Sequence, residues 1–141
     1  MPTTRTATTV WEGTLFEGAG KVTLESSGIG TYDVSWPSRA EEANGKTSPE
    51  ELIAAAHSSC FSMAFSNGLA KNDTPATSLD TQAAVDFTPG TGITGIKITV
   101  RGVVEGVDND TFVRLAEEAK AGCPVSQALS AVPITLDAAL A

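Results

Sequence analysis

The chain has 141 residues, of which 41% are hydrophobic and 18% charged, and it carries a net charge of −8. That length fits one domain spanning 1–141, with enough apolar content to bury a core. The acidic balance excludes nucleic acid and anionic membrane as default partners, because both need a basic surface.

The first twelve residues, MPTTRTATTVWE, lack the apolar run of a signal peptide, so the chain is expected in the cytoplasm, where thiols stay reduced. Segments near 7–16, 20–26 and 31–36 are rich in Val, Thr and aromatic residues. Gly18, Gly20, Gly28 and Gly30 punctuate them, which predicts three strands. Residues 37–48, PSRAEEANGKTS, read as an exposed loop long enough to carry a function.

A helix start follows. Ser48 suits the N-cap, Pro49 the first helical position, and Glu51 completes a capping box. The helix is predicted to run to Leu69 or Lys71. Residues 52–70, LIAAAHSSCFSMAFSNGLA, contain no Lys, Arg, Asp or Glu. Leu52 to Ala56 are apolar on every face, and such a helix is buried on every face. One sheet of this chain cannot cover it, which suggests a second copy of the chain.

Beyond the helix, 76–88 and 93–105 alternate as two strands joined at PGTG. Phe112, Leu115, Ala116 and Ala119 have helical spacing, and Gly122 is a stop signal. CPVSQAL predicts a short helix with Pro124 at its first position, and 133–140 a closing strand. The order of elements is that of an α+β domain.

Two cysteines, Cys60 and Cys123, stand 63 residues apart. They are a reducible pair, a redox pair, or two unrelated core residues. There is no CxxC, and one His with two Cys falls short of a structural zinc set. Cys60 lies mid-helix, where the dipole has faded and burial raises a thiol's pKa. A reactive Cys60 therefore needs a cation from outside its helix. Cys123, in Gly-Cys-Pro, lies at a helix N-terminus, where free N–H groups favour a thiolate. The bland alternatives stand beside these readings. Glu50 suits the helix dipole, Arg39 a solvated loop, and His57 a core position bonded to a carbonyl. Ser58 and Ser59 suit bonds back to the helix backbone.

SPEELIAAAHSSCFSMAFS, followed by AKAGCPVSQAL and a closing ITLD, resembles the OsmC/Ohr family of thiol-dependent hydroperoxide reductases. The AAH before the cysteine, the FSMA after it, and the WEG of Trp11 to Gly13 are similar to the OsmC branch. The resemblance implies antiparallel sheets packed on a long buried central helix, in an intertwined homodimer with active sites at the interface. It implies that Cys60 is the peroxidatic thiolate and that Cys123 resolves its sulfenic acid into a disulfide. Arg39 would stabilise the thiolate and orient the peroxide, and Glu50 would hold Arg39. Ten helical residues rise roughly 15 Å, so Glu50 and Arg39 are expected from the partner subunit. The implied substrates are organic hydroperoxides, with hydrogen peroxide left open. The reductant is an external dithiol or lipoyl-type thiol, and no metal, haem or flavin cofactor is implied. The rival readings are a thiol-based redox sensor or oxidoreductase, and a non-catalytic stress-response binding protein on the same fold.

Overall fold

Threonine, valine and aromatic residues between glycines build the first strands. In the computed structural model, which describes residues 1–141, β1 (Thr8–Glu12), β2 (Ala19–Thr23) and β3 (Thr31–Val34) form an antiparallel sheet in the order β1-β2-β3. The chain divides into two units, Met1–Leu52 and Ile53–Ala141, and this sheet belongs to the first. Trp11 of the WEG motif pairs with Gly20 across the sheet. A Cβ on Gly20 would fall 2.7 Å from Trp11 Cε3. The indole occupies the space that any side chain at position 20 would need.

The loop expected over 37–48 is helical at its start. α1 (Trp36–Ala40) is capped by Ser35, whose hydroxyl accepts the Ser38 N–H while the Ser38 hydroxyl accepts the Ser35 N–H. Ser38 is nearly buried, and its hydroxyl also donates to the Thr47 carbonyl at 3.0 Å. Thr47 in turn bridges to Val34. A serine in place of the usual Glu or Gln at the fourth position of the cap, on a helix of one turn, leaves little pattern to read in advance.

α2 (Pro49–Lys71) starts at the expected place. The Ser48 hydroxyl accepts the Glu51 N–H at 3.2 Å, and the Leu52 N–H bonds the Ser48 carbonyl. The reciprocal half of the predicted capping box is replaced. The Glu51 carboxylate accepts from the Thr47 hydroxyl.

In the second unit, β4 (Ala76–Thr88) and β5 (Gly92–Val104) form a long hairpin. β6 (Ile134–Leu140) joins the far side of β5. The sheet is mixed rather than antiparallel as expected, because β6 runs parallel to β5. The chain between them is a crossover through α3 (Asn109–Gly122) and α4 (Pro124–Ala128), which returns the last strand in the same direction. Ile96, Ile98 and Val100 of β5 point one way at the strand period and are buried. They meet Phe61, Phe65 and Leu69 of α2, and Phe112, Leu115, Ala116 and Ala119 of α3, in one core. Phe65 lies with its ring centroid 4.8 Å from Phe112 and 5.6 Å from Phe61. Each such side chain contributes about 1.5–3 kcal/mol by leaving water. Gly102 lets Phe112 approach β5, since a Cβ there would sit 2.6 Å from the ring.

All-round burial of α2 does not hold within one chain. His57, Phe61, Phe65 and Leu69, four residues apart, are fully buried, whereas Ala55, Ala56, Ser59, Met63, Ser66 and Ala70 are exposed. The chain's own sheet and α3 supply cover for a single face.

Candidate active site

The second unit brings the two cysteines together. α2 presents Cys60 half-buried beside its Phe61–Phe65 face, and the end of α3 delivers Cys123 into the core at 0% exposure. The two sulfurs lie 3.1 Å apart, both as free thiols in hydrogen-bond contact. The two side chains therefore face each other at a separation that a short movement closes to a bond of about 2.05 Å. Of the two, Cys60 is the more exposed residue.

The thiols have opposite electrostatic leanings. Burial pushes the Cys60 thiol up, the neighbouring Cys123 pushes it further, and only the Val125 N–H works against them. Burial also works against the Cys123 thiolate. There the Ser126 N–H, the Cys60 thiol, the Ser126 hydroxyl and the Val125 N–H together outweigh it, and the net direction is down. Cys123 is the N-cap residue of α4, with Pro124 following, and it makes no regular side-chain cap bond of its own. Within this unit Cys123 is thus the more acidic thiol, whereas Cys60 still needs a cation to hold it as thiolate, as the mid-helix position predicts.

His57, one turn before Cys60, is fully buried. The sequence suggests a bond to a carbonyl. Instead its Nε2 lies 2.7 Å from the Ser126 hydroxyl, and Nδ1 has no hydrogen-bond partner. Burial lowers its basicity, which favours the neutral ring. Ser126 was not singled out in the sequence. The signal for it is its place three residues after Cys123, the helical position whose N–H and side chain turn back toward the cap. Ser58 and Ser59 bond back to the Ala55 and Ala56 carbonyls as expected.

The first unit brings Arg39 and Glu50 together. Arg39 Nε donates to both carboxylate oxygens of Glu50, at 3.0 and 3.2 Å, and Nη2 donates to Oε2 at 3.0 Å. Glu50 is 6% exposed. It stands in the first turn of α2, where the helix N-terminus favours its charge. Such a fork fixes the plane of the guanidinium. Arg39 also forms part of the wall of a cavity of about 360 Å³, with Trp11, Leu15, Val22, Trp36 and Leu52 among its lining. Arg39 is therefore no solvated loop charge, and Glu50 serves more than the dipole.

No group of three or more His, Cys, Asp or Glu side chains is placed to hold a metal ion. No helix is long and apolar enough to cross a membrane.

The OsmC-like protein family matches residues 42–137. The chain is 44% identical over 130 residues to the peroxiredoxin OsmC of Escherichia coli (strain K12), covering 90% of each chain. The organic hydroperoxide resistance protein OsmC of Legionella pneumophila has a similar fold, with a TM-score of 0.69 at 22% identity over 95% of this chain and 96% of that one. An OsmC-like protein of Vibrio cholerae gives a TM-score of 0.74 at 15% identity, over 97% of this chain and 99% of its own. The chain belongs to the OsmC family of peroxiredoxin-type enzymes.

Proposed function

We propose that the chain reduces organic hydroperoxides through a Cys60–Cys123 disulfide cycle. The observation that carries this reading is the 3.1 Å approach of the sulfur of half-buried Cys60 to that of fully buried Cys123. The Cys60 thiolate attacks the terminal peroxide oxygen, the O–O bond breaks, and the alkoxide takes up a proton and leaves as alcohol. Cys60 is then a sulfenic acid. The Cys123 sulfur attacks the Cys60 sulfur, the S–O bond breaks, and water leaves. An external dithiol or lipoyl-type reductant supplies two electrons and two protons and restores both thiols. Because the resolving sulfur is already in contact, the sulfenic acid has little time to climb to sulfinic acid.

Arg39 supplies the cation that Cys60 lacks in its own unit, with Glu50 holding the guanidinium in plane. The two belong to a second copy of the chain, in a homodimer that also covers the exposed face of α2. Support comes from the helix geometry, since Glu50 and Cys60 are ten residues apart on α2, roughly 15 Å of rise. The apolar cavity beside Arg39 suits the hydrocarbon tail of an organic peroxide, which gains about 25 cal/mol per Å² buried there, and hydrogen peroxide has no tail to bury. The cycle uses no metal, haem or flavin, and its thiols start reduced in the cytoplasm.

The test is consumption of tert-butyl hydroperoxide with a dithiol, comparing the native chain with Cys60→Ser. Loss of turnover in the variant is expected. Equal rates would sink the reading.

A further inference from the structure

The turn between β1 and β2 carries apolar side chains on the outside. Residues 13–18 read GTLFEG, and Leu15 and Phe16 at its apex are 51% and 67% exposed. Turn apices ordinarily hold Gly, Asn, Asp or Ser, which suit the turn backbone and stay solvated. Two adjacent large apolar residues there call for an explanation beyond turn formation. The turn itself is fixed. The Gly18 N–H donates to the Thr14 carbonyl at 2.8 Å, and the Glu17 N–H donates to the Thr14 hydroxyl at 3.2 Å. The Trp11 indole N–H donates to the Gly13 carbonyl at 3.1 Å. Gly13 has a positive φ of 93°, and a Cβ on Gly18 would run into the Thr14 and Glu12 carbonyl oxygens. Glycine is therefore required at both ends, and the backbone holds the apex in one place.

Both apex side chains are tied to the cavity beside Arg39. Leu15 lines it directly. Phe16 stands edge-on to Trp36, with ring centroids 5.6 Å apart and planes at 88°, and Trp36 lines the cavity. Trp11, whose indole N–H ties down the turn, lines it as well. Both tryptophans of the chain are thus in the wall of this one cavity.

We propose that the β1–β2 turn sets which organic group the cavity accepts, and that the group is an aromatic ring: Leu15, Trp11 and Trp36 receive the ring of an aryl hydroperoxide, and Phe16 holds the Trp36 indole in the wall. The inference rests on the cysteine cycle proposed above and on this cavity as the seat of the peroxide's organic group. Phe16 is a positioning residue that acts through Trp36. A ring enters as a rigid plate, whereas a linear alkyl chain must freeze several bonds to fill the same space. Against the indoles a ring also gains edge and offset contacts beyond the area it buries, worth about two- to tenfold in affinity. An edge-on pair such as Phe16 and Trp36 is a favoured aromatic geometry, so the exposed phenyl group restrains the indole behind it.

The experiment compares cumyl hydroperoxide with nonyl hydroperoxide, which have equal carbon counts, with a dithiol as reductant. The native chain should favour the cumyl substrate in kcat/KM by about two- to tenfold. Phe16→Ala should lose most of that preference through a higher KM for the cumyl substrate, and Phe16→Tyr, which keeps an aromatic edge, should retain it. A merely structural role would move both substrates together and leave their ratio alone. Equal rates in the native chain, or a preference for the linear substrate, would overturn the aryl assignment while leaving the cysteine cycle intact. An unchanged ratio in Phe16→Ala would overturn the role of Phe16. Turnover of neither peroxide by the native chain would overturn the cycle, and the cavity is then read without turnover. Because both tryptophans line it, cumyl alcohol added to the native chain should shift the tryptophan emission, and nonanol should do so with about two- to tenfold weaker affinity. Emission indifferent to cumyl alcohol would overturn the proposal whatever the turnover.

Discussion

The sulfurs of Cys60 and Cys123 stand 3.1 Å apart although 63 residues separate them in the chain. Two thiols this close do not ionise independently, and their titration belongs to the pair.

The first prediction concerns that titration. Cys123 is shifted down and Cys60 up. A lowered pKa means the thiolate forms at lower pH, so ultraviolet thiolate absorbance should rise in two steps, one on either side of the ordinary thiol range. Cys123→Ser should leave one step, below the upper step of the native chain, because the charge that opposed Cys60 ionisation is gone. Two superimposed steps would contradict the coupling.

The second concerns Glu50. Its carboxylate is nearly buried, and its Arg39 partner is about one-third exposed. Glu50→Ala leaves the guanidinium without its fork. Because solvent screens the Arg39 side, the expected loss is about 1–3 kcal/mol by urea denaturation, less than for a fully buried pair. Peroxide turnover should fall by about tenfold or more, as the guanidinium loses its fixed plane. Arg39→Lys should lose turnover similarly, since an ammonium cannot make the two-pronged contact.

Two glycines should respond in opposite directions. A Cβ at Gly102 would meet Phe112 at 2.6 Å, so Gly102→Ala should destabilise by about 1–3 kcal/mol. Nothing lies within 4 Å of a Cβ at Gly68, in the last turns of α2. Gly68→Ala should stabilise by about 0.5–1 kcal/mol, as an alanine costs a helix less than a glycine. Thermal melts of both variants check the pair.

The core makes a further prediction. Phe65 is fully buried between Phe61 and Phe112. Phe65→Ala should cost about 3–5 kcal/mol by chemical denaturation. A cost under 1 kcal/mol would mean that these rings do not hold α2 to α3.

Local patterns in the sequence locate most of the elements. Ser48-Pro49 marks the start of α2, the period of Phe112 to Ala119 marks α3, and the alternation of Ile96, Ile98 and Val100 marks β5, because each signal sits within a few residues. Three features depend on distant neighbours and escape such reading. The parallel pairing of β6 with β5 depends on which edge the crossover reaches. The helix at Trp36–Ala40 is too short to show a period. The one-sided burial of α2 depends on what its neighbours cover, which an all-apolar turn cannot reveal. At the candidate site, the motifs point to Cys60, Cys123 and Glu50, and Arg39 follows only from its place in the segment before α2, which has no motif of its own. The contact of His57 with Ser126 spans 69 residues and leaves no local trace.

The most direct test of the account is peptide mapping after one equivalent of an organic hydroperoxide is added to the reduced chain. The account predicts a Cys60–Cys123 disulfide in the native chain, and a sulfenic acid at Cys60 in Cys123→Ser. Oxidation confined to Cys123, or both thiols still free while peroxide is consumed, would contradict it.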